Sequence, residues 1–168
     1  PEIVVDGHEF TVSTASTSGA FNDVALATGG NESIDGRFEE NGISMMLQAF
    51  DHLAENGLTS NFYTGQDDSS DPSTARAYYQ MRGSVSLLLE TSGIHTGQNN
   101  IHRRVVSQFL CMETYLNYAK ENKNELCALS SEAREKLARD GATYSSDRLF
   151  ALDTATVTLP ETYPKPFT

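Results

Sequence analysis

The chain has 168 residues, of which 38% are hydrophobic, and it carries 12 Lys and Arg against 23 Asp and Glu. This length suits one domain with a sizeable core and is short for two. A net charge of −11 leaves no basic surface for a phosphate backbone, so we expect no nucleic-acid partner. No apolar run approaches the roughly 20 residues that cross a bilayer, so we expect no membrane partner.

The cysteine count excludes two kinds of stabilising site. Cys111 and Cys127 are the only cysteines, too few for a disulfide framework or a four-cysteine zinc site. We therefore expect buried thiols, with a single bridge between the two as the alternative.

In the first half of the chain, apolar patterning predicts one strand and one helix. Residues 2–6 form a short β-branched run typical of a buried strand. Residues 11–35 are rich in Ser, Thr and Gly, and we expect no regular core element there. Residues 42–55 are predicted as an amphipathic helix from the spacing of their apolar residues: Ile43, Met46, Leu47, Phe50 and Leu53.

In the middle of the chain, a polar loop at 59–73 is followed by a short helix at 75–80. Residues 84–90 then form a run with a continuous apolar end, which predicts a strand covered on both faces and flanked by helices. Residues 91–100 are interpreted as a loop.

Two helices are predicted after this loop. The first begins at residue 101, and we expect its apolar stripe to face the core; the stripe consists of Ile101, Val105, Phe109, Met112 and Leu116. The second is predicted over residues 131–139. The proline-punctuated end of the chain is left without an assigned structure.

Two ionisable groups stand at the ends of predicted strands. His8 follows the first strand, and Glu90 ends the later one. Ligands of open α/β sheets gather beyond the carboxyl ends of the strands, so these groups could share a pocket. A carboxylate that follows three leucines either reaches solvent or becomes partly desolvated, which would raise its pKa toward that of a general base. The alternatives are a strand-end carboxylate that caps the backbone and a hydrogen-bonded strand-end histidine.

These segments resemble the zinc carboxypeptidases of the carboxypeptidase A type. Residues 1–10, Pro-Glu-Ile-Val-Val-Asp-Gly-His-Glu-Phe, are similar to the strand that supplies the family's third zinc ligand. Residues 83–94, followed by Gly97 and Arg103-Arg104, are similar to its catalytic-glutamate strand, loop and last long helix. The resemblance covers about residues 1–121 and implies an α/β fold with a mixed, largely parallel sheet flanked by helices.

The same resemblance implies roles for particular residues. His8 would be one zinc ligand, and Glu90 would take a proton from water and deliver it to the departing amine. Tyr63 is the nearest candidate for the family's substrate-binding tyrosine, ahead of Tyr78 and Tyr79. The family's His-x-x-Glu zinc ligands and its substrate-carboxylate arginine precede the third ligand, and no counterpart precedes His8 in this sequence. His52 and Glu55 have the right local spacing, but they follow His8, and we interpret them as ordinary helix residues.

The leading hypothesis is a portion of a zinc metallocarboxypeptidase that cleaves C-terminal peptide bonds and is inactive by itself. Residues 1–121 would be the C-terminal part of the catalytic domain, and residues 122–168 a trailing helix and tail. The expected partners are a peptide with a free C-terminus, the upstream portion of the domain, and other copies through self-association. We expect a secreted or periplasmic location. The alternatives are a zinc deacylase of small acylated amino acids and a non-catalytic interaction module.

Overall fold

A computed structural model describes residues 1–11, 22–31, 34–63, 71–94 and 96–143. Within these ranges the chain forms four strands and four helices: β1 (Ile3–Thr11), β2 (Val24–Thr28), α1 (Arg37–Glu55), β3 (Ser60–Phe62), α2 (Ala75–Met81), β4 (Val85–Ile94), α3 (Ile101–Glu121) and α4 (Lys123–Ala142). None of these helices is both long enough and apolar enough to span a membrane.

The four strands form one mixed sheet in the order β1-β4-β2-β3. β1 runs parallel to β4, and β2 runs parallel to β3, while β2 and β4 are antiparallel. The predicted α/β class with a mixed sheet and flanking helices is therefore confirmed. β4 is a central strand buried on both faces, as its apolar run predicts.

The strand β2 shows that the expectation of no core element within residues 11–35 was wrong. Val24 and Leu26 are fully buried, and Thr28 donates a 3.0 Å hydrogen bond to the Ser86 carbonyl. The alternate positions, Ala25 and Ala27, are small. Because alanine has little β propensity and polar residues surround this five-residue run, the sequence pattern concealed a central strand.

The helices α1 and α3 pack on one face of the sheet and run antiparallel to each other. Buried residues of α1, including Met45 and Ala49, share one core with Leu26, Leu87 and Leu89 of the sheet. α1 starts at Arg37, earlier than the predicted residue 42. The apolar pattern did not reveal this start, because the first turn is mostly polar and carries only Phe38 into the core. β4 likewise continues to Ile94, beyond the predicted residue 90.

The prediction that the apolar stripe of α3 faces the core was wrong. Phe109 and Leu116 are 63% and 67% exposed, whereas small or hydrogen-bonded residues lie against the sheet and α1. The buried face consists of Ser107, Leu110, Cys111, Thr114, Tyr115 and Tyr118. Small side chains allow the helix to approach the sheet closely, and the Tyr118 hydroxyl donates a 2.8 Å hydrogen bond to Asn41 on α1.

The helix α4 begins at Lys123, eight residues before the predicted start, and buries Leu126 and Leu129 in the same core. It crosses the ends of the sheet where β1 and β4 begin, since Arg134 donates a 2.9 Å hydrogen bond to the Pro1 carbonyl. Both cysteines are free thiols, but only Cys111 is buried; Cys127 on α4 is exposed, so the expectation of buried thiols was wrong for that residue. Burial raises the pKa of the Cys111 thiol to about 12, as expected of an inert core cysteine.

Candidate functional site

The structure places His8 and Glu90 side by side on two adjacent strands, but within β1 and β4 rather than at the strand ends, where the sequence pattern predicted them. In the parallel pairing of β1 with β4, His8 is the register partner of Glu90, and Asp6 is the partner of Leu88. Residues in register on neighbouring strands point to the same face, so Asp6, His8 and Glu90 share one side of the sheet. The opposite side carries Thr91, which receives a hydrogen bond from Gln108 of α3.

Glu90 is a buried carboxylate without a full set of hydrogen-bond partners. Its side chain belongs to a residue that is only 9% exposed, and its Oε2 atom, shielded from solvent, has no hydrogen-bond partner among the described residues. Desolvation raises the pKa of the Glu90 carboxyl; the charge of Asp6 adds to this rise, and His8 and Arg76 oppose it. A carboxylate with a raised pKa is a stronger base than an ordinary glutamate.

Glu90 has a small neighbour on the adjacent strand. Ala25 of β2 lies directly opposite Glu90 in the antiparallel pairing, and both side chains point to the same face of the sheet. The methyl group of Ala25 has no polar atom that could hydrogen-bond to the carboxylate.

His8 is oriented by one carboxylate. Its Nε2 atom lies 2.9 Å from Asp6 Oδ1, and its side chain is 52% exposed. The sequence offers a second nearby carboxylate, Glu9, but this residue faces the other side of the sheet and pairs with Arg104 of α3. The imidazole therefore stands at an open edge of the site, with Asp6 fixing its orientation.

Tyr63 joins the site through a buried arginine. Tyr63 follows β3, and its backbone N–H donates a 2.7 Å hydrogen bond to the Leu26 carbonyl. The Arg76 guanidinium lies over its ring at 5.8 Å from the centroid. Arg76 is 6% exposed and lies in the first turn of α2, the helix that covers this face of the sheet. Tyr78 and Tyr79 instead pack edge to face against each other on the surface.

His52 and Glu55, which have metal-ligand spacing, do not lie together at this site. Thr114 donates its hydroxyl proton to the Leu110 carbonyl, so it accepts a 3.0 Å hydrogen bond from the His52 Nδ1–H. His52 therefore belongs to the α1–α3 contact, while Glu55 is exposed at the end of α1. Arg103 pairs with Asp23 in the turn that precedes β2.

Within the described ranges, no three His, Cys, Asp or Glu side chains are grouped so that they could hold a metal ion. A catalytic zinc site takes three protein ligands. The imidazole of His8 has the right chemistry for one of them, but the donors that the described residues place beside it do not complete a set.

A separate cavity of about 510 Å³ lies at the other end of the sheet. It is lined by apolar residues of α1, α2 and α4, including Phe38, Met81 and Leu137. Its rim charges are paired with one another, for example Arg37 with Asp35 and Glu132. It contains none of the residues of the candidate site.

Arg76 is the member of the site that sequence reasoning missed. It is the single Lys or Arg between Arg37 and Arg82, a stretch that is otherwise neutral or acidic. The sequence feature that could have identified Arg76 is its position as an isolated cation shortly after the polar loop that carries Phe62 and Tyr63. Ala25 could not be recognised, because its importance comes only from its pairing with Glu90.

Comparisons of the chain with protein-family models, curated proteins and solved structures found no match. Any assignment of function therefore depends on the residues and geometry of this face of the sheet.

Proposed function

We propose that this chain forms part of a zinc-dependent metallocarboxypeptidase, in which Glu90 is the general base and His8 is one zinc ligand. The observation that carries the proposal is the in-register placement of His8 beside a buried Glu90 whose Oε2 has no hydrogen-bond partner among the described residues. The mixed sheet would then be one portion of a carboxypeptidase-like catalytic domain.

Glu90 would accept a proton from the attacking water and pass it to the departing amine. Its raised pKa supports both steps, since a carboxylate that holds its proton more tightly is a stronger base and, once protonated, can still act as an acid.

His8 would contribute one of three protein ligands, and the remaining ligands would come from outside the described residues. Zinc in such a centre activates water and polarises the scissile carbonyl. The Asp6 carboxylate would hold the imidazole in place, as carboxylates that accept a hydrogen bond from a zinc-binding histidine do in many zinc sites.

The substrate class follows from the charge on this face. A free peptide C-terminus is an anion, and Arg76 supplies a buried cation close enough to Glu90 to affect its pKa. The Tyr63 ring beneath the guanidinium restricts its orientation, so the pair would align a carboxylate next to the base. These contacts favour an exopeptidase over an enzyme that cleaves inside a chain.

The proposal is tested by assaying the complete product of the coding sequence that contains this chain, loaded with zinc, for release of C-terminal amino acids from blocked peptides. Glu90→Gln should lower kcat by about 100-fold or more while zinc remains bound, because only the proton acceptor is lost. Asp51→Asn, an exposed change on α1, is the matched control and should leave kcat unchanged.

Two outcomes of this assay would contradict the proposal. One is a Glu90→Gln variant with the activity of the wild type. The other is release of the amino acid from small N-acylated amino acids with no action on peptides, which would identify a deacylase.

A further inference from the structure

The second half of helix α4 has few contacts with the rest of the fold. The three buried residues of α4 all lie in its first half, before residue 131. From residue 131 to residue 142, every side chain is exposed or half-buried. The cavity of about 510 Å³ lies beneath this half of the helix, since Ala133 and Leu137 of α4 form part of its wall.

Another part of the cavity wall comes from α1 and α2. Phe38, in the first turn of α1, is fully buried, and Met81 is the last residue of α2. Well-packed protein interiors contain few voids larger than a water molecule. Pockets for small organic molecules, in contrast, measure about 300–1,000 Å³ and have mostly apolar walls. The volume and the apolar wall residues of this cavity therefore match those of a small-molecule site.

The charges at the mouth of the cavity cancel one another. Six exposed charged residues line it, three acidic and three basic, and each belongs to an ion pair. The pairs are Arg37 with Asp35 and Glu132, Arg139 with Glu135, and Lys136 with Asp140. A charged ligand would have to displace one of these partners, and an anion would also be repelled by a chain with a net charge of −11. Charge complementarity therefore favours an uncharged ligand.

We propose that this cavity binds a small, uncharged and largely apolar organic molecule. The molecule packs against Phe38 and Met81 of the body of the fold and against Leu137 of α4, and its removal from water drives binding. It thereby links the second half of α4 to the rest of the protein. This inference goes beyond the proposed function and stands on separate observations, because the cavity contains none of the residues of the candidate site.

A fluorescence titration of the 168-residue chain with two matched dyes tests the charge preference. N-phenylnaphthylamine and anilinonaphthalene sulfonate share one aromatic skeleton, and only the second dye carries a charge. We expect the uncharged dye to bind one site per chain with a Kd of about 10 µM. The sulfonate should bind at least about 10-fold more weakly, because the cavity offers its charge no unpaired cation among the lining residues.

Substitutions on α4 test the location of the site. Leu137→Trp fills part of the cavity, and Leu137→Asp places a charge in its wall, so each should raise the Kd of the uncharged dye at least about 10-fold. Ala138→Trp and Ala138→Asp are the matched controls, since Ala138 is exposed and lies outside the lining. Phe109→Ser removes an exposed ring from α3 and should also leave the Kd unchanged. Circular dichroism confirms that each variant is folded.

Hydrogen exchange of the wild-type chain gives a second measurement that needs no substitution. Saturation with the uncharged dye should slow amide exchange in residues 132–142 at least about 3-fold, because the occupant holds this half of α4 against the fold. Exchange at the centre of α3 should not change. The proposal would be overturned by a chain that binds no dye, by tighter binding of the sulfonate, by an unchanged Kd in both Leu137 variants, or by binding without slower exchange in this half of α4.

Discussion

Glu90 illustrates the cost of placing a base inside a fold. A leucine at this position of β4 would continue the apolar run of the strand, whereas the carboxylate loses hydration and finds no hydrogen-bond partner for Oε2 among the described residues. Such a group destabilises the folded state when it is charged. A destabilising carboxylate at this position is explained if the group takes part in a reaction.

The pH dependence of stability tests this description of Glu90. Below about pH 4 the carboxyl is protonated in both states. As the pH rises, the unfolded chain releases the proton first, because the pKa is raised only in the folded state, so the folded state loses stability until its own pKa is passed.

Glu90→Gln removes this penalty. We therefore expect the variant to be more stable than the wild type by about 1 kcal/mol at pH 7 and equally stable at low pH, as measured by urea denaturation. Asp51→Asn should show no comparable pH-dependent gain. A Glu90→Gln variant that is less stable at pH 7 would show that the carboxylate stabilises the fold.

Arg76 is expected to stabilise the charged form of Glu90. Arg76→Gln should reduce the free energy of unfolding by about 2 kcal/mol at neutral pH, because a buried cation whose charge favours the ionised form of Glu90 is lost. The loss should be smaller in a Glu90→Gln background, where no carboxylate charge remains. Equal losses in both backgrounds, measured in a double-mutant cycle, would show that the two residues are not coupled.

Among the elements, the sequence predicted those whose apolar residues are large and continuous. The Leu87–Leu89 run of β4 has one simple interpretation and was correctly predicted. The apolar stripe of α3 has two possible interpretations, since a helix can bury either its large apolar face or a face of small residues that fits closely against a sheet. Here Ser107, Cys111 and Thr114 provide the closer fit, and periodicity alone could not reveal it.

α1 also lies very close to the sheet, and a substitution at Gly42 tests this contact. A Cβ at this position would lie 2.3 Å from Thr28 Oγ1 of β2. Alanine normally stabilises a helix by about 1 kcal/mol relative to glycine, but Gly42→Ala should lower the free energy of unfolding by about 2 kcal/mol because the helix must move away from the sheet.

Gly141→Ala is the matched control for this prediction. Gly141 lies near the end of α4 with no atom within 4 Å of an added Cβ, so its variant should be slightly stabilised. Chemical denaturation of both variants distinguishes steric contact from helix propensity. If both substitutions stabilise the protein, the close contact between α1 and β2 is not present in solution.

For the whole molecule, the pairing of distant segments could be predicted only in part. His8 and Glu90 are separated by 82 positions, and their association was expected from two predicted strands that would end at them, whereas both strands continue past these residues. The in-register pairing, the position of Ala25 opposite Glu90, and the arrival of Arg76 from α2 depend on strand order and helix placement. These features come from packing between elements, which no local pattern encodes.

The molecule also leaves two surfaces open on either side of β1. On one side lies the candidate site with its exposed imidazole, and on the other lies the α3 stripe. Under the proposed function, the residues that complete the zinc ligands would have to reach the first surface. The behaviour of His8 toward zinc therefore reports most directly on how much of the centre this chain contains.

The decisive measurement is a zinc titration of the 168-residue chain followed by NMR of its histidine ring signals. The account predicts that the His8 signals shift first, with a Kd weaker than about 10 µM, since one imidazole cannot hold zinc tightly. His8→Ala should abolish the response, while the other three histidines remain unshifted at the same zinc concentration. Tight stoichiometric binding, or binding at His52 with His8 unaffected, would contradict the assignment of His8 as one ligand of a centre completed elsewhere.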